Sequence, residues 1–166
     1  MCGIPFHSSE AYIQRLIEKG YKVAICEQVE DPKLAKGLVK REVTRIVTPG
    51  TNLNTQDLDE TKNNYLMCIL YTDNAIGIAS VDVTTGDFLV TEVDSVRKLM
   101  DEINKLKPSE IICNEGFFIS SADIDFLRER MRISISSLES RFFDETETLN
   151  CLKEHFHVAN LEGLGL

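Results

Sequence analysis

The sequence lacks the features that mark membrane, secreted and disulfide-stabilised proteins. No apolar run approaches the roughly 20 residues that a membrane-spanning helix needs. The opening residues, MCGIPFHSSE, contain neither the basic region nor the apolar stretch of a secretory signal peptide. The five cysteines are odd in number and form no CxxC pair, which disfavours a disulfide framework and a zinc site. We therefore expect a cytoplasmic protein with reduced thiols.

Positive charge is also scarce, except near the start of the chain. The net charge is −9, but residues 1–50 hold eight Lys/Arg against six Asp/Glu. The remaining residues hold ten Lys/Arg against twenty-one Asp/Glu. An acidic domain of that size repels a phosphate backbone, so any nucleic-acid contact is expected in the first third of the chain.

The first fifty residues predict a helix and two strands. A helix is expected from Ser8 to Gly20, followed by a strand at 21–27 and another at 40–47. Along the second strand, period-2 alternation places Arg41 and Arg45 on one face. Residues 51–64 are polar and are interpreted as a linker between two domains, 1–50 and 65–166.

The second domain is organised around a predicted hairpin at 75–93. Two alternating apolar segments flank a turn at Thr84-Thr85-Gly86. Residues 65–71 are apolar on both faces, which is typical of a central strand. Helices are expected after Ser95, after Ser121 and from Phe143 to Phe156, with strands at 110–113 and around Ile133. This order predicts an α/β domain of the ribonuclease H-like type, with a mixed five-stranded sheet and flanking helices.

Four segments of the leading part resemble the MutS family of DNA mismatch-repair proteins. They are MCGIPFHS, VAICE, EDP and REVTRIVTPGT, in residues 1–8, 23–27, 30–32 and 41–51. The resemblance implies the end of a mismatch-recognition domain followed by a ribonuclease H-like connector domain. It further implies mismatched double-stranded DNA and a MutL-type protein as partners, and dimers of the full-length protein. We expect both ends of the sequence to continue into a longer chain.

Two family motifs are missing from the sequence. The Phe-x-Glu motif that reads a mismatch lies upstream of the GIP segment in the family, and the local match Phe143-Asp144-Glu145 is attributed to chance. The ATPase domain, with its ATP and Mg²⁺, contains a phosphate-binding loop, but here no Gly is followed by Lys. We therefore expect no cofactor and no catalysis from this chain.

Two surfaces are candidate binding sites. The first is a basic cluster in residues 33–45, which is expected to contact the DNA backbone without reading sequence. The second is the exposed side of the last helix, an expected docking surface for the partner protein. The alternative in both cases is an ordinary solvated surface. The basic cluster comprises Lys33, Lys36, Lys40, Arg41 and Arg45, and the helix surface comprises Glu147, Asn150 and Glu154.

A metal-dependent nuclease of the same fold is the alternative function. Such an enzyme needs carboxylates that converge from the first strand of the sheet, but 65–71 contains no acid. Asp73 and Asp87 are expected in turns, and Asp82 is expected to hydrogen-bond locally. A zinc site is disfavoured because it needs four ligands. The candidate ligands are Cys151, His155 and His157, and His7 is expected to pack or cap locally.

Overall fold

The computed structural model describes residues 3–31, 37–53 and 63–164. The leading part contains one helix, α1 (Ser9–Ile17), and two antiparallel strands, β1 (Val23–Gln28) and β2 (Arg41–Val47). Gly20 adopts a φ of +79° after α1, which is the left-handed conformation expected of a helix-terminating glycine. The helix and both strands predicted for this part are confirmed.

A β-bulge in β2 overturns the expectation that Arg41 and Arg45 share a face. Arg45 is paired with Ile25 and Arg41 with Gln28, and the register shifts between Ile25 and Cys26. Ile25 and Gln28 occupy odd and even positions of β1, so the two arginines lie on opposite faces of the ribbon. The extra residue is Thr44, whose Oγ1 donates to the Ile25 carbonyl oxygen at 3.3 Å. The prediction from period-2 alternation was wrong because alternation holds only where the hydrogen-bond ladder between the two strands is uninterrupted.

The second part is built on a five-stranded mixed sheet, which confirms the predicted fold class. Its strand order is β5-β4-β3-β6-β7, with β3, β4 and β5 antiparallel and with β6 and β7 parallel to β3. The apolar strand predicted to be central is indeed the middle strand. The bounds are β3 (Tyr65–Tyr71), β4 (Ile76–Asp82), β5 (Phe88–Val93), β6 (Glu110–Cys113) and β7 (Ser134–Ser137).

The core lies on one face of this sheet. Met67 and Ile69 of β3 are fully buried there, against Leu99 and Ile103 of helix α2 (Val96–Leu106). Each buried aliphatic side chain of this size stabilises the fold by roughly 1.5–3 kcal/mol. Lys107 ends α2 in the left-handed conformation, one residue before Pro108.

The second predicted helix takes a different form. In place of a regular α-helix after Ser121, the chain makes a π-helical turn at Phe126–Arg130, and a 3₁₀ turn at Glu115–Ile119 precedes it. The Met131 N–H donates to the Phe126 carbonyl oxygen, five residues back, at 3.2 Å. This wide turn buries Leu127 and brings Ile133 into the core. The third helix, α3 (Glu145–Phe156), agrees with the prediction.

Within the described part of the chain, no helix combines the length and apolar character needed to cross a bilayer.

Candidate nucleic-acid interface and interdomain joint

The described members of the basic cluster do not form one continuous surface. Lys40 is exposed, and its Nζ lies 2.6 Å from Glu42 Oε1. Arg41 lies on the open face of the β1–β2 ribbon, where Val43 and Ile46 are more than half exposed. Arg45 lies on the opposite face, where it lines a cavity of about 200 Å³ beside α1. Lys33 and Lys36 lie outside the described residues. DNA contact by the cluster therefore stays a prediction, now centred on Lys40 and Arg41.

The leading part is attached to the sheet through a buried carboxylate. Glu110 begins β6 and is 1% exposed. Its Oε2 accepts the Gly50 N–H at 3.1 Å, and its Oε1 lies 3.2 Å from Lys22 Nζ. Lys22 Nζ also donates to Ser136 Oγ in β7 at 3.0 Å. The Lys22 side chain is 44% exposed, so solvent partly screens this ion pair, and the buried partner that Glu110 would lose without the leading part is the Gly50 N–H.

Gly50 allows the backbone of the leading part to lie directly on the sheet. A Cβ atom at this position would lie 3.0 Å from Leu66 Cβ and 3.0 Å from Glu110 Cβ. Gly50 belongs to a 3₁₀ turn, Pro49–Thr51, whose ends are closed by reciprocal hydrogen bonds between Thr48 and Thr51. The turn therefore packs its backbone directly on the sheet, and a residue larger than glycine at position 50 would crowd Leu66 and Glu110.

Asn64 forms the second half of this attachment. It is 6% exposed, and its Nδ2 donates to the Pro49 carbonyl oxygen at 3.1 Å. Its Oδ1 accepts a short hydrogen bond from Ser109 Oγ, and its backbone N–H donates to Asp82 Oδ2 at 2.9 Å. Through its side-chain amide and its backbone N–H, Asn64 thus links the 3₁₀ turn, the loop before β6 and the end of β4. We call Lys22, Gly50, Asn64, Glu110 and Ser136 the interdomain joint.

Asp82 is occupied by local hydrogen bonds, as expected. Its Oδ1 accepts the Thr84 N–H at 2.8 Å and the Thr84 hydroxyl at 2.6 Å. Burial acts to raise the pKa of the Asp82 carboxyl, but hydrogen bonds from Thr84, Asn64 and Thr85 outweigh it and lower the pKa below its usual range. Asp73 and Asp87 are exposed outside the strands. The described residues contain no group of three or more His, Cys, Asp or Glu side chains arranged to hold a metal ion.

The candidate zinc ligands are exposed residues of α3 and its end. Cys151 and His155 are exposed on the helix, and His157 ends it in the left-handed conformation. The His155 ring packs edge-on against Phe156, with 4.9 Å between ring centroids. His7 is exposed in the short turn that precedes α1.

The proposed docking surface is an exposed face of α3. Glu147, Asn150 and Glu154 recur at helical spacing and are all exposed. Asp144 caps the helix by accepting the Glu147 N–H at 3.0 Å. This capping role gives a local structural reason for the Phe143-Asp144-Glu145 segment. Partner contact through this face stays a prediction.

Sequence reasoning missed the interdomain joint. Lys22 and Ser136 are 114 positions apart, and Gly50 and Glu110 are 60 positions apart. One local signal was present in the sequence. Glu110 is an acid that opens an otherwise apolar strand, EIIC, and a charge in that position calls for a partner when the strand is buried.

The fold and the joint together define a two-part α/β chain, in which a basic leading segment is fastened to a ribonuclease H-like domain. Two family models match the sequence: "MutS domain I" over residues 1–56 and "MutS domain II" over residues 64–166. The chain therefore belongs to the MutS family of DNA mismatch-repair proteins.

Several curated relatives support this assignment, each named "DNA mismatch repair protein MutS". The relative from Lachnoclostridium phytofermentans is 62% identical over 166 residues, which is 100% of this chain and 18% of the relative. The relative from Acetivibrio thermocellus is 54% identical over 94% of this chain and 18% of its own length. The chain thus spans about a fifth of the length of these proteins. A solved structure of a simian T-cell lymphotropic virus intasome with a PP2A regulatory subunit matches 57% of this chain and 41% of that chain, at 17% identity and a TM-score of 0.33, too low to support an inference.

Proposed function

We propose that this chain is the part of a mismatch-recognition protein that couples DNA binding to the rest of the molecule. Its leading part contributes backbone contacts to mismatched double-stranded DNA, and its ribonuclease H-like domain acts as the connector. The connector relays between DNA binding and an ATPase domain that holds ATP and Mg²⁺ elsewhere in the full-length, dimeric protein. The chain is non-catalytic by itself.

The interdomain joint carries this proposal. A relay requires that a displacement of the leading part moves the sheet, and loosely tethered domains do not transmit one. Glu110 and Asn64 are buried at the contact and bind backbone groups of the 3₁₀ turn at Pro49–Thr51. Because these groups lose their partners when the two parts separate, undocking is costly and the two parts move together.

The DNA contact is expected from Lys40 and Arg41. Both are exposed at the end of the β1–β2 ribbon where Gln28 pairs with Arg41, and phosphate contacts of this kind position a protein without reading sequence. Arg45 is less suited because it lines the cavity beside α1. The docking of a MutL-type partner is assigned to the exposed face of α3, where two of the three named side chains are acidic.

Hydrogen–deuterium exchange with and without saturating duplex tests the relay. We expect protection in β2 and, through the joint, a changed exchange rate in β6 and β7. In the Glu110→Gln variant, the response of β2 is expected to persist while the response of β6 and β7 disappears. The matched control is Glu102→Gln, which removes an exposed ion pair with Lys105. An unchanged β6–β7 response in Glu110→Gln would refute the relay.

A further inference from the structure

A second basic surface lies in a groove between the leading part and the sheet. The groove has a volume of about 450 Å³ and runs between the end of α1 and the start of β7. Lys19 lines it from one side, and Arg128 and Arg132 line it from the other. Glu18 is the single acidic residue among the described lining residues, so bases outnumber acids three to one. The groove is therefore positively charged, although the chain as a whole has a net charge of −9.

Within the described residues, the cations of this groove have no ion-pair partner. Among the described residues, none of Lys19, Arg128 and Arg132 has a carboxylate within ion-pair distance. By contrast, Lys22, Lys98 and Lys105 each have a carboxylate partner in this part of the structure. The charge of the groove is therefore available to a ligand.

Arg128 is held in place by uncharged partners. Its Cζ lies 5.5 Å from the centroid of the Phe118 ring, and its Nη2 donates to the Ile135 carbonyl oxygen at 3.3 Å. Stacking on a ring restrains the guanidinium without cancelling its charge. A guanidinium has five N–H donors, so most of them stay available after the bond to Ile135. Such a pre-positioned guanidinium suits the oxygens of a phosphate group.

The lining chemistry favours a phosphate backbone over a free nucleotide. None of the described lining residues is aromatic, so the groove offers no surface on which a base could stack. Its apolar lining comes from Ile133, which is buried, and Ile135. We propose that this groove binds phosphate groups, with the backbone of a DNA duplex as their source. The contact would straddle both parts of the chain, and it is separate from the Lys33–Arg45 cluster and from the joint.

The test compares two double variants of equal charge. Lys19→Gln/Arg132→Gln removes two positive charges from the groove and leaves the packed Arg128 in place. The control, Arg97→Gln/Arg130→Gln, removes two exposed charges that do not line the groove. Binding of a fluorescent duplex is measured by anisotropy over a salt series. We expect the groove variant to lose about five- to tenfold in affinity at low salt. Its slope of log K against log salt should fall in magnitude by up to about 1.8, since each phosphate contact contributes about 0.9.

Four results would overturn the proposal. One is an equal loss in both double variants, which would reflect net charge alone. Another is unchanged binding in the groove variant while neutralising Lys40 and Arg41 abolishes it. The third comes from competition: if poly-glutamate displaces the duplex from the wild-type groove as well as pyrophosphate does at equal charge, the ligand is an acidic protein segment. Pyrophosphate that shifts the amide signals of Gly20 and Arg132, without any duplex binding, would assign the groove to free phosphate and reject the duplex.

Discussion

Replacing Gly50 by alanine tests whether the leading part is fastened tightly to the sheet. The added Cβ would lie 3.0 Å from two other Cβ atoms and 3.2 Å from Leu66 Cα. All three atoms are strand backbone or the Cβ next to it, so the strain is relieved only by moving the turn away from the sheet. Overpacking of this kind costs about 1–3 kcal/mol. The hydrogen bond from the Gly50 N–H to the buried Glu110 carboxylate is also lengthened, which removes roughly 1 kcal/mol of the about 1.5–3 kcal/mol that such a bond contributes.

We expect Gly50→Ala to lower the free energy of unfolding by about 2–4 kcal/mol. With a urea m-value of about 2 kcal/mol/M, the midpoint should fall by about 1–2 M. The chain contains no tryptophan, so far-ultraviolet circular dichroism is the suitable probe. The matched control is Gly77→Ala, whose Cβ would meet only Leu70 Cβ at an ordinary 3.9 Å. If the free energies of unfolding of Gly50→Ala and Gly77→Ala differ by less than about 0.5 kcal/mol, Gly50 does not lie as close to the sheet as described.

Four further predictions concern other parts of the chain. Asp82→Asn should destabilise the fold by about 2–3 kcal/mol, because an amide cannot accept all three hydrogen bonds that the carboxylate receives. Folding lowers the pKa of Asp82, so its contribution to stability is complete above the unfolded pKa of 3.8 and is lost as pH falls through the lower folded value. The Asn variant should therefore lose less stability on acidification than the wild-type chain. If both chains show the same dependence of unfolding free energy on pH, the assignment is wrong. Burial first, and then the neighbouring Cys68, raise the pKa of the Cys113 thiol to about 11, so alkylation followed by mass spectrometry should label the exposed Cys26 and Cys151 well before Cys113. Asp144→Ala should cost about 1 kcal/mol through loss of the α3 cap, and unchanged thermal unfolding would reject the cap. Incubating the chain with branched or hybrid duplexes and Mg²⁺ or Mn²⁺ should give no cleavage, and cleavage that Asp82→Asn abolishes would establish the nuclease alternative.

The isolated chain should also bind duplex weakly, with a steep loss at high salt and no preference for a mismatch. Neutralising Lys40 and Arg41 together should weaken binding by a similar factor for every sequence, because phosphate contacts carry no sequence information. Anisotropy with matched and mismatched duplexes measures both effects. We propose that the leading part contacts the DNA backbone and that the family's Phe-x-Glu motif reads the mismatch. A clear mismatch preference of this chain would show that this division of roles is wrong.

The sheet was accessible to sequence reasoning because its signals are local. The alternation in 75–93 and the apolar character of both faces of 65–71 can be read from neighbouring residues alone. The three strands that they predict form as expected. The Gly86 turn, with φ of +81°, needs only the conformational freedom of one residue. These features could be predicted because no distant part of the chain is needed to specify them.

The features that escaped prediction depend on pairing between distant residues. The bulge at Thr44 is defined by the partner strand, and it separates Arg41 from Arg45. The π-helical turn at Phe126–Arg130 depends on how Leu127 and Ile133 enter the core. The joint requires Glu110 to be buried against a segment that precedes it by 60 positions. Local periodicity contains no information about any of these contacts.

The docking of the two parts is measured most directly as a distance between them. Cys26 in β1 and Cys151 in α3 are both exposed and lie on different parts, so they are suitable sites for paired spin labels. With the other cysteines replaced by serine, double electron–electron resonance should report one narrow distance distribution. The distribution should broaden in Glu110→Ala and stay narrow in the control Glu102→Ala. A broad distribution in the otherwise unaltered chain would contradict a rigid joint, and with it the proposed relay.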